Sequence, residues 1–207
     1  MVSLVKQIVA LKSKIGRKIK NTLRSFKKNI RLNSEQKFLE LCFCILVANT
    51  SLMKTKKIWD EINKGFIYFS KNSLKRKLKK LGYRFYNKRT NYIVFARKFI
   101  KEIDAELKNK NESSIREWLV KNIKGIGWKE ASHFLRNMGF QNFAILDRHV
   151  LRVLNSYKIL DGILPLTRKN YLEIERKLKR IADRLNISLA ELDLHLFYID
   201  TKKIPKK

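Results

Sequence analysis

Residues 118–139 read Trp118-Leu-Val-Lys-Asn-Ile-Lys-Gly-Ile-Gly-Trp-Lys-Glu-Ala-Ser-His-Phe-Leu-Arg-Asn-Met-Gly139. The spacing predicts an amphipathic helix that ends near Ile123, a hairpin at Gly125-Ile126-Gly127, and a second helix that starts at about Trp128. Two glycines let the backbone turn tightly and approach a ligand without side-chain obstruction. The first amides of the second helix have no intrahelical acceptor and carry the positive end of the helix dipole, so they suit a phosphate oxygen. Ile126, between the glycines, plugs the hairpin into the core.

Working outward, Phe143-Ala-Ile-Leu-Asp-Arg-His-Val-Leu-Arg-Val-Leu154 follows the second helix. Its apolar run delivers Asp147 to the start of another helix, where the carboxylate can act as a cap. Upstream, the helix expected over Ser34–Ala48 has Asn33 or Ser34 as cap and is apolar on most sides, which places it in a core. With only two prolines and seven glycines in 207 residues, and apolar residues recurring every three or four positions, the pattern is all-α. Residues 1–207 form one unit, with a basic helical arm over 1–32 and two helical subdomains over about 33–125 and 126–207.

Charge narrows the partner. The chain carries 48 Lys and Arg against 18 Asp and Glu, a formal net charge of +30, and such a field attracts polyanions. An ion-paired, heat-adapted surface would balance acids with bases, and this one does not. Between Met1 and Leu32 there are ten Lys or Arg and no acid. In the same arm Leu4, Ile8, Leu11, Ile15, Ile19, Leu23, Phe26 and Ile30 trace one helix face. That helix either touches phosphates or anionic lipid, or packs its apolar face on the domain. From Lys64 to Lys101 there are thirteen Lys or Arg, again without an acid. Tyr92, Phe95 and Phe99 have helical spacing and are expected in the core; Phe85 and Tyr86 follow Gly82 in an expected turn, where an aromatic ring can stack on an unstacked base.

Cys42 and Cys44 lie in an apolar helix and point in different directions, so they read as core thiols in a reducing, intracellular setting. No metal-ligand spacing is present. His133 and His149 are expected as structural hydrogen-bonding residues. No signal-peptide pattern or bilayer-length apolar segment occurs, so the chain is expected to be soluble and off the membrane.

The hairpin Ile123-Lys-Gly-Ile-Gly-Trp-Lys-Glu-Ala131 resembles the Leu-Pro-Gly-Val-Gly-x-Lys-x-Ala signature of the helix-hairpin-helix DNA glycosylases. Leu146-Asp-Arg-His-Val-Leu-Arg-Val153 resembles their Val-Asp-x-His-x-x-Arg-Val segment. Ile45-Leu-Val-Ala-Asn-Thr-Ser51 is similar to their Leu-Leu-Ser-Ala-Gln-Thr segment. Within that superfamily, Lys129-Glu-Ala-Ser-His-Phe-Leu-Arg-Asn137, Gly82-Tyr-Arg-Phe-Tyr-Asn-Lys-Arg89 and the lack of C-terminal cluster cysteines resemble the type 2 8-oxoguanine DNA glycosylases of archaea and some bacteria. The resemblance implies two helical subdomains with an active-site cleft between them. It implies Lys129 as amine nucleophile, Asp147 as essential carboxylate, and Asn49 as the polar side chain that fills the gap left by the flipped nucleotide. Gly125, Gly127 and Lys124 at the hairpin, Arg148 beside the aspartate and Arg84 in the Gly82 turn are assigned to DNA binding, and Phe85 to base stacking.

The implied activity is bifunctional: excision of 8-oxoguanine through a lysine Schiff base, then β-elimination at the abasic site. An ammonium has no lone pair, so a crowded, cationic surround is expected to help Lys129 lose its proton. Asp147 either stabilises positive charge as the glycosidic bond breaks or assists proton transfer. The implied partner is double-stranded DNA with an oxidised base, bound by a monomer without cofactor or metal in a prokaryotic cytoplasm. The rival readings are a glycosylase for oxidised pyrimidines, a non-enzymatic DNA-binding hairpin protein, and a peripheral membrane protein held by the N-terminal arm. The tail Asp200–Lys207 either folds back to the site or is disordered.

Overall fold

The computed structural model describes residues 3–109, 111–162 and 165–205. Lys206 and Lys207, the end of the tail, lie outside them. Every helix or strand assigned among the described residues is helical, so the fold is all-α. Two compact units emerge: residues 29–134, and residues 1–28 together with 135–207.

The unit of residues 29–134 is built around α2 (Ser34–Val47). Asn33 caps it in a reciprocal box: its side chain accepts from the Gln36 amide at 2.9 Å, while the Gln36 side chain accepts from the Asn33 amide at 3.1 Å. From Lys37 to Leu46 every residue of α2 is buried, as its all-round apolar character requires. α3 (Leu52–Ile62), α4 (Gly65–Tyr68), α6 (Tyr86–Ala96) and α7 (Ile100–Glu106) pack on it, and α5 (Lys71–Lys80) packs on α6. α8 (Glu112–Asn122) leads into the hairpin and α9 (Trp128–Asn137) leaves it. The one basic side chain buried on α2, Lys37, meets Asp104 of α7 at 2.5 Å. The two thiols sit deep in α2, and burial pushes the Cys42 thiol well above its ordinary value.

The aromatic residues of α6 and of the 3-10 turn Arg97–Phe99 that follows it behave differently from expectation. Ile93 and Ala96 are fully buried, whereas Tyr92, Phe95 and Phe99 are only half-buried. They form a ridge clad in cations: the Lys98 ammonium lies 4.2 Å from the Phe95 centroid and 4.7 Å from that of Phe99. A helix can bury one face fully, and α6 spends that face on small and branched residues. The rings take the flank, where cation–π contacts replace core packing.

In the other unit α12 (Leu189–Thr201) is the buried centre, with α10 (Arg148–Ser156) and α11 (Arg168–Arg184) packed against it. α1 (Leu4–Lys28) is part of this core. Ile15, Ile19, Leu23 and Phe26 of α1 close on Ala190 and Leu194 of α12. The apolar stripe of the arm is thus occupied by packing, as hydrophobic burial favours.

Two features make this unit sensitive. Gly139 closes α9 at φ +95°, and a Cβ there would lie 2.7 Å from the Lys27 Cα at the end of α1. Gly139→Ala should therefore lower unfolding free energy by about 1–3 kcal/mol in urea titrations. Arg136 of α9 and Asp193 of α12 form a buried ion pair at 2.5 Å. Burial, opposed by Arg136, pushes the Asp193 carboxyl up to about 6 from 3.8. Because the folded value exceeds the unfolded one, this contribution is complete below about pH 4 and is lost as pH rises through about 6. From pH 4 to pH 7 the wild type should lose on the order of 2–3 kcal/mol of stability relative to Asp193→Asn, read from urea midpoints.

Candidate active site

The hairpin forms where the glycines predict it. α8 ends at Asn122 with Ile123 as its C-cap, and α9 begins at Trp128. The Ile126 amide donates to the Ile123 carbonyl at 3.1 Å, and the Ile126 side chain is buried. Gly125 has φ +87°, and a Cβ on it would sit 2.2 Å from Cδ2 of Tyr92. The hairpin therefore lies directly on the Tyr92 ring, and both the torsion and the lack of space demand glycine. Gly127 makes no such demand on torsion; a Cβ there would come 3.3 Å from Oε2 of Glu130.

Lys129 stands in the first turn of α9, with its side chain about a quarter exposed. Its ammonium contacts Glu130 Oε1 at 3.0 Å. The immediate charged neighbour of the amine is thus a carboxylate rather than the cationic surround expected from composition. Lys124, exposed on the hairpin, extends its ammonium to 4.6 Å from the Phe95 centroid.

From Tyr92 a chain of contacts reaches the other sequence-predicted residues of this unit. The Arg89 guanidinium lies 5.6 Å from the Tyr92 centroid and 5.7 Å from that of Phe85, and it donates to the Ala48 carbonyl at 3.3 Å. The Tyr83 hydroxyl donates to the Leu46 carbonyl at 2.7 Å. These two side chains satisfy carbonyls that the end of α2 leaves without helical partners. Asn49 is thereby carried outward, exposed and in a left-handed conformation at φ 59°, a torsion that asparagine tolerates better than most residues. Arg84 stacks on Phe85 at 4.3 Å, so the ring already has a planar cationic neighbour. Tyr86, expected in the turn, is the first residue of α6.

Asp147 and Arg148 belong to the unit containing residues 135–207. The stretch Phe143–Leu146 is buried without being helical, so its backbone needs partners from side chains. Tyr171 and Glu175 of α11 supply them: the Tyr171 hydroxyl donates to the Ala144 carbonyl at 2.7 Å, and Glu175 Oε1 accepts from the Ala144 amide at 2.9 Å. The segment delivers Asp147 as N-cap of α10. Its Oδ1 accepts from the amides of His149 and Val150, both at 2.9 Å. One carboxylate oxygen is fixed by the helix it caps, which orients the other.

Beyond it, His149 Nδ1 meets Asp200 Oδ2 at 2.5 Å, and Arg152 Nη1 bonds the same carboxylate at 2.9 Å. Burial acts to raise the Asp200 carboxyl, but the hydrogen bonds from His149 and Arg152 hold it below the ordinary carboxylate range. His149 is thus engaged in a structural hydrogen bond, and His133 rests edge-on to Phe43 at 6.4 Å.

Three contributors are not legible as site residues from the sequence. Arg89 is one cation among thirteen, although its i,i+4 and i,i+3 spacing to Phe85 and Tyr92 is a signal able to single it out. Glu130 adjoins the lysine in sequence, and adjacency alone assigns it no role. Asp200 is more than fifty residues from Asp147, and no local pattern links them. Among the described residues no group of three or more His, Cys, Asp or Glu is placed to hold a metal ion, and no helix is long and apolar enough to cross a membrane.

Comparison with known proteins locates this arrangement. Residues 19–187 match the family model described as 8-oxoguanine DNA glycosylase. An 8-oxoguanine DNA glycosylase/AP lyase of Methanocaldococcus jannaschii is 46% identical over 205 residues, covering 98% of this chain and 99% of that protein. A protein of the same description from Korarchaeum cryptofilum is 43% identical, with 98% of each chain covered. The crystal structure of the M. jannaschii 8-oxoguanine glycosylase/lyase, in complex with a 15mer DNA containing 8-oxoguanine, matches with a TM-score of 0.95 at 45% identity, covering 98% of this chain and 99% of that one. That of the Thermotoga maritima 8-oxoguanine DNA glycosylase matches with a TM-score of 0.92 at 36% identity, with 98% of both chains covered. With its glycine hairpin on Tyr92, its lysine at the head of α9 and its aspartate-capped α10, the chain belongs to the helix-hairpin-helix 8-oxoguanine DNA glycosylase family.

Proposed function

We propose that this chain excises 8-oxoguanine from duplex DNA and then cleaves the abasic strand, with Lys129 as nucleophile and Asp147 as the carboxylate that assists it. The observation that carries this reading is the position of Lys129. It is a half-buried amine in the first turn of a helix that opens from a glycine hairpin, where phosphate binding and a nucleophile meet on one element.

The target base is inaccessible inside the stack, so the nucleotide must be turned out at a cost of a few kcal/mol. Contacts from the hairpin, Lys124, Arg84 and Arg148 to the strand help offset that cost, and exposed Asn49 occupies the vacated space. Phe85, already flanked by Arg84 and Arg89, offers a flat face for stacking. The Lys129 amine attacks C1′; the C1′–N bond breaks and the base departs with the bonding pair. Loss of a proton from nitrogen and opening of the sugar ring give an imine, and removal of a C2′ proton then expels the 3′ phosphate. Before attack the ammonium must give up a proton, and Glu130 is the carboxylate in contact with it. Asp147, rigid because α10 holds one of its oxygens, either balances positive charge at the sugar or moves a proton. Both roles need a fixed carboxylate.

Borohydride reduction in the presence of an 8-oxoguanine duplex should trap a covalent protein–DNA complex. Lys129→Gln should abolish it while binding of the same duplex persists, and absence of a trapped species with the wild type would overturn the enzymatic reading. Asp147→Asn should slow single-turnover excision by about 10²–10⁴-fold, with the helix cap and the melting temperature largely kept. Duplexes with 8-oxoguanine opposite each of the four bases test lesion and partner preference together.

A further inference from the structure

The basic residues of α1 are not used by the site described above. Projected at 100° per residue, Leu4, Ile8, Ile15, Ile19, Leu23 and Phe26 occupy one side of the helix and are buried. Lys6, Arg17, Lys20, Arg24 and Lys28 fall on the opposite side, within about 45° of a single line, and all five are exposed. Among the described residues no carboxylate pairs with a cation of α1. An exposed lysine elsewhere does have such a partner one turn away, as in Lys179–Asp183 of α11. On α1 the one-turn neighbours are like charges: Lys14 and Lys18, Lys20 and Arg24, Arg24 and Lys28. Like charges at that spacing repel one another, and among the described residues no carboxylate relieves that repulsion. A polyanion from outside would.

The apolar face decides which polyanion. An amphipathic helix that lies in a bilayer inserts its apolar side, and here that side is committed to α12. Val9 is the one large apolar residue of α1 that is well exposed. What remains is a straight row of point charges, about 16 Å long from Arg17 to Lys28, beside which a DNA duplex would present about ten phosphate charges.

We infer that the exposed face of α1 is a sequence-independent contact for the backbone of undamaged duplex DNA, separate from the residues that engage the lesion. The inference rests on the reading of the chain as a protein that acts on DNA. Its role is retention: it holds the enzyme on intact duplex between lesions and takes no part in the chemistry.

The test compares two variants with equal change in net charge. One replaces Arg17, Lys20, Arg24 and Lys28 by Gln. The other replaces Arg176, Lys177, Arg180 and Arg184, exposed residues of α11, by Gln. Binding of undamaged 20-base-pair duplex is measured across a salt series. The α1 variant should bind at least tenfold more weakly at about 0.1 M salt, and its slope of log K against log salt should be shallower by about 2–4, near 0.9 for each phosphate no longer neutralised. The α11 variant should keep most of the wild-type slope. The single-turnover excision rate of the α1 variant at saturating enzyme should stay within about twofold of wild type. Its melting temperature should match or exceed wild type, since Gln keeps helix propensity and removes repulsion. The half-variants Arg17→Gln/Lys20→Gln and Arg24→Gln/Lys28→Gln should each give part of the slope change, which keeps the test independent of any folding defect in the full set. Equal slopes for the α1 variant and wild type, or equal losses in the α1 and α11 variants, would overturn the inference. So would tight binding to phosphatidylserine vesicles that the α1 variant loses while its DNA slope is unchanged. The readout uses intact DNA and no chemistry, so failure of borohydride trapping bears on the catalytic assignment alone.

Discussion

Gly125 lies against Tyr92 with no room for a side chain between them, and the organisation of the unit of residues 29–134 follows from that contact. Because the backbone seats on the ring, the chain must reverse at a left-handed residue, and α9 must start immediately beyond. The start of α9 fixes Lys129. The same ring is packed by Arg89, which also staples the end of α2 and flanks Phe85. One steric constraint therefore ties together the hairpin, the exposed asparagine turn and Phe85. These are groups from four separate stretches of sequence.

The other unit solves a different problem: how to present a carboxylate at the end of a buried, non-helical strip of chain. Unpaired amides and carbonyls in a core are costly. Tyr171 and Glu175, themselves buried, meet those of Ala144, while the Arg136–Asp193 pair joins α9 to α12 beside it. The strip is held by directional bonds rather than by shape alone, so Asp147 arrives in one orientation, and α10 then locks one of its oxygens. A general acid–base or electrostatic role asks for that kind of preorganisation.

The cations behind the net charge of +30 take two different arrangements. Around the hairpin, cations lie on aromatic faces, as with Lys98, Lys124 and Arg84, where they are positioned and partly desolvated. On α1 they stand in a row on the exposed side, with an apolar face buried behind them. The first arrangement suits recognition of a distorted nucleotide, and the second suits a regular line of phosphates.

Local chemistry was enough to determine the helical class, the hairpin limits, the Asn33 cap and the arrival of Asp147 at a helix start, because helix periodicity, glycine torsions and caps are interactions within about four residues. Lys129 and Asp147 became candidates through the resemblance of their two segments to the glycosylase signatures, which local chemistry alone does not supply. Tertiary structure alone decided which face α6 buries, leaving its Tyr92 and Phe95, with Phe99 just beyond its end, as a half-exposed ridge. It also decided that the stripe of α1 is consumed by α12, that Arg89 links Phe85 to the α2 turn, and that Asp200 clamps His149. Each of these depends on an element far away in the chain, and a residue carries no local record of the neighbour that folding will bring to it.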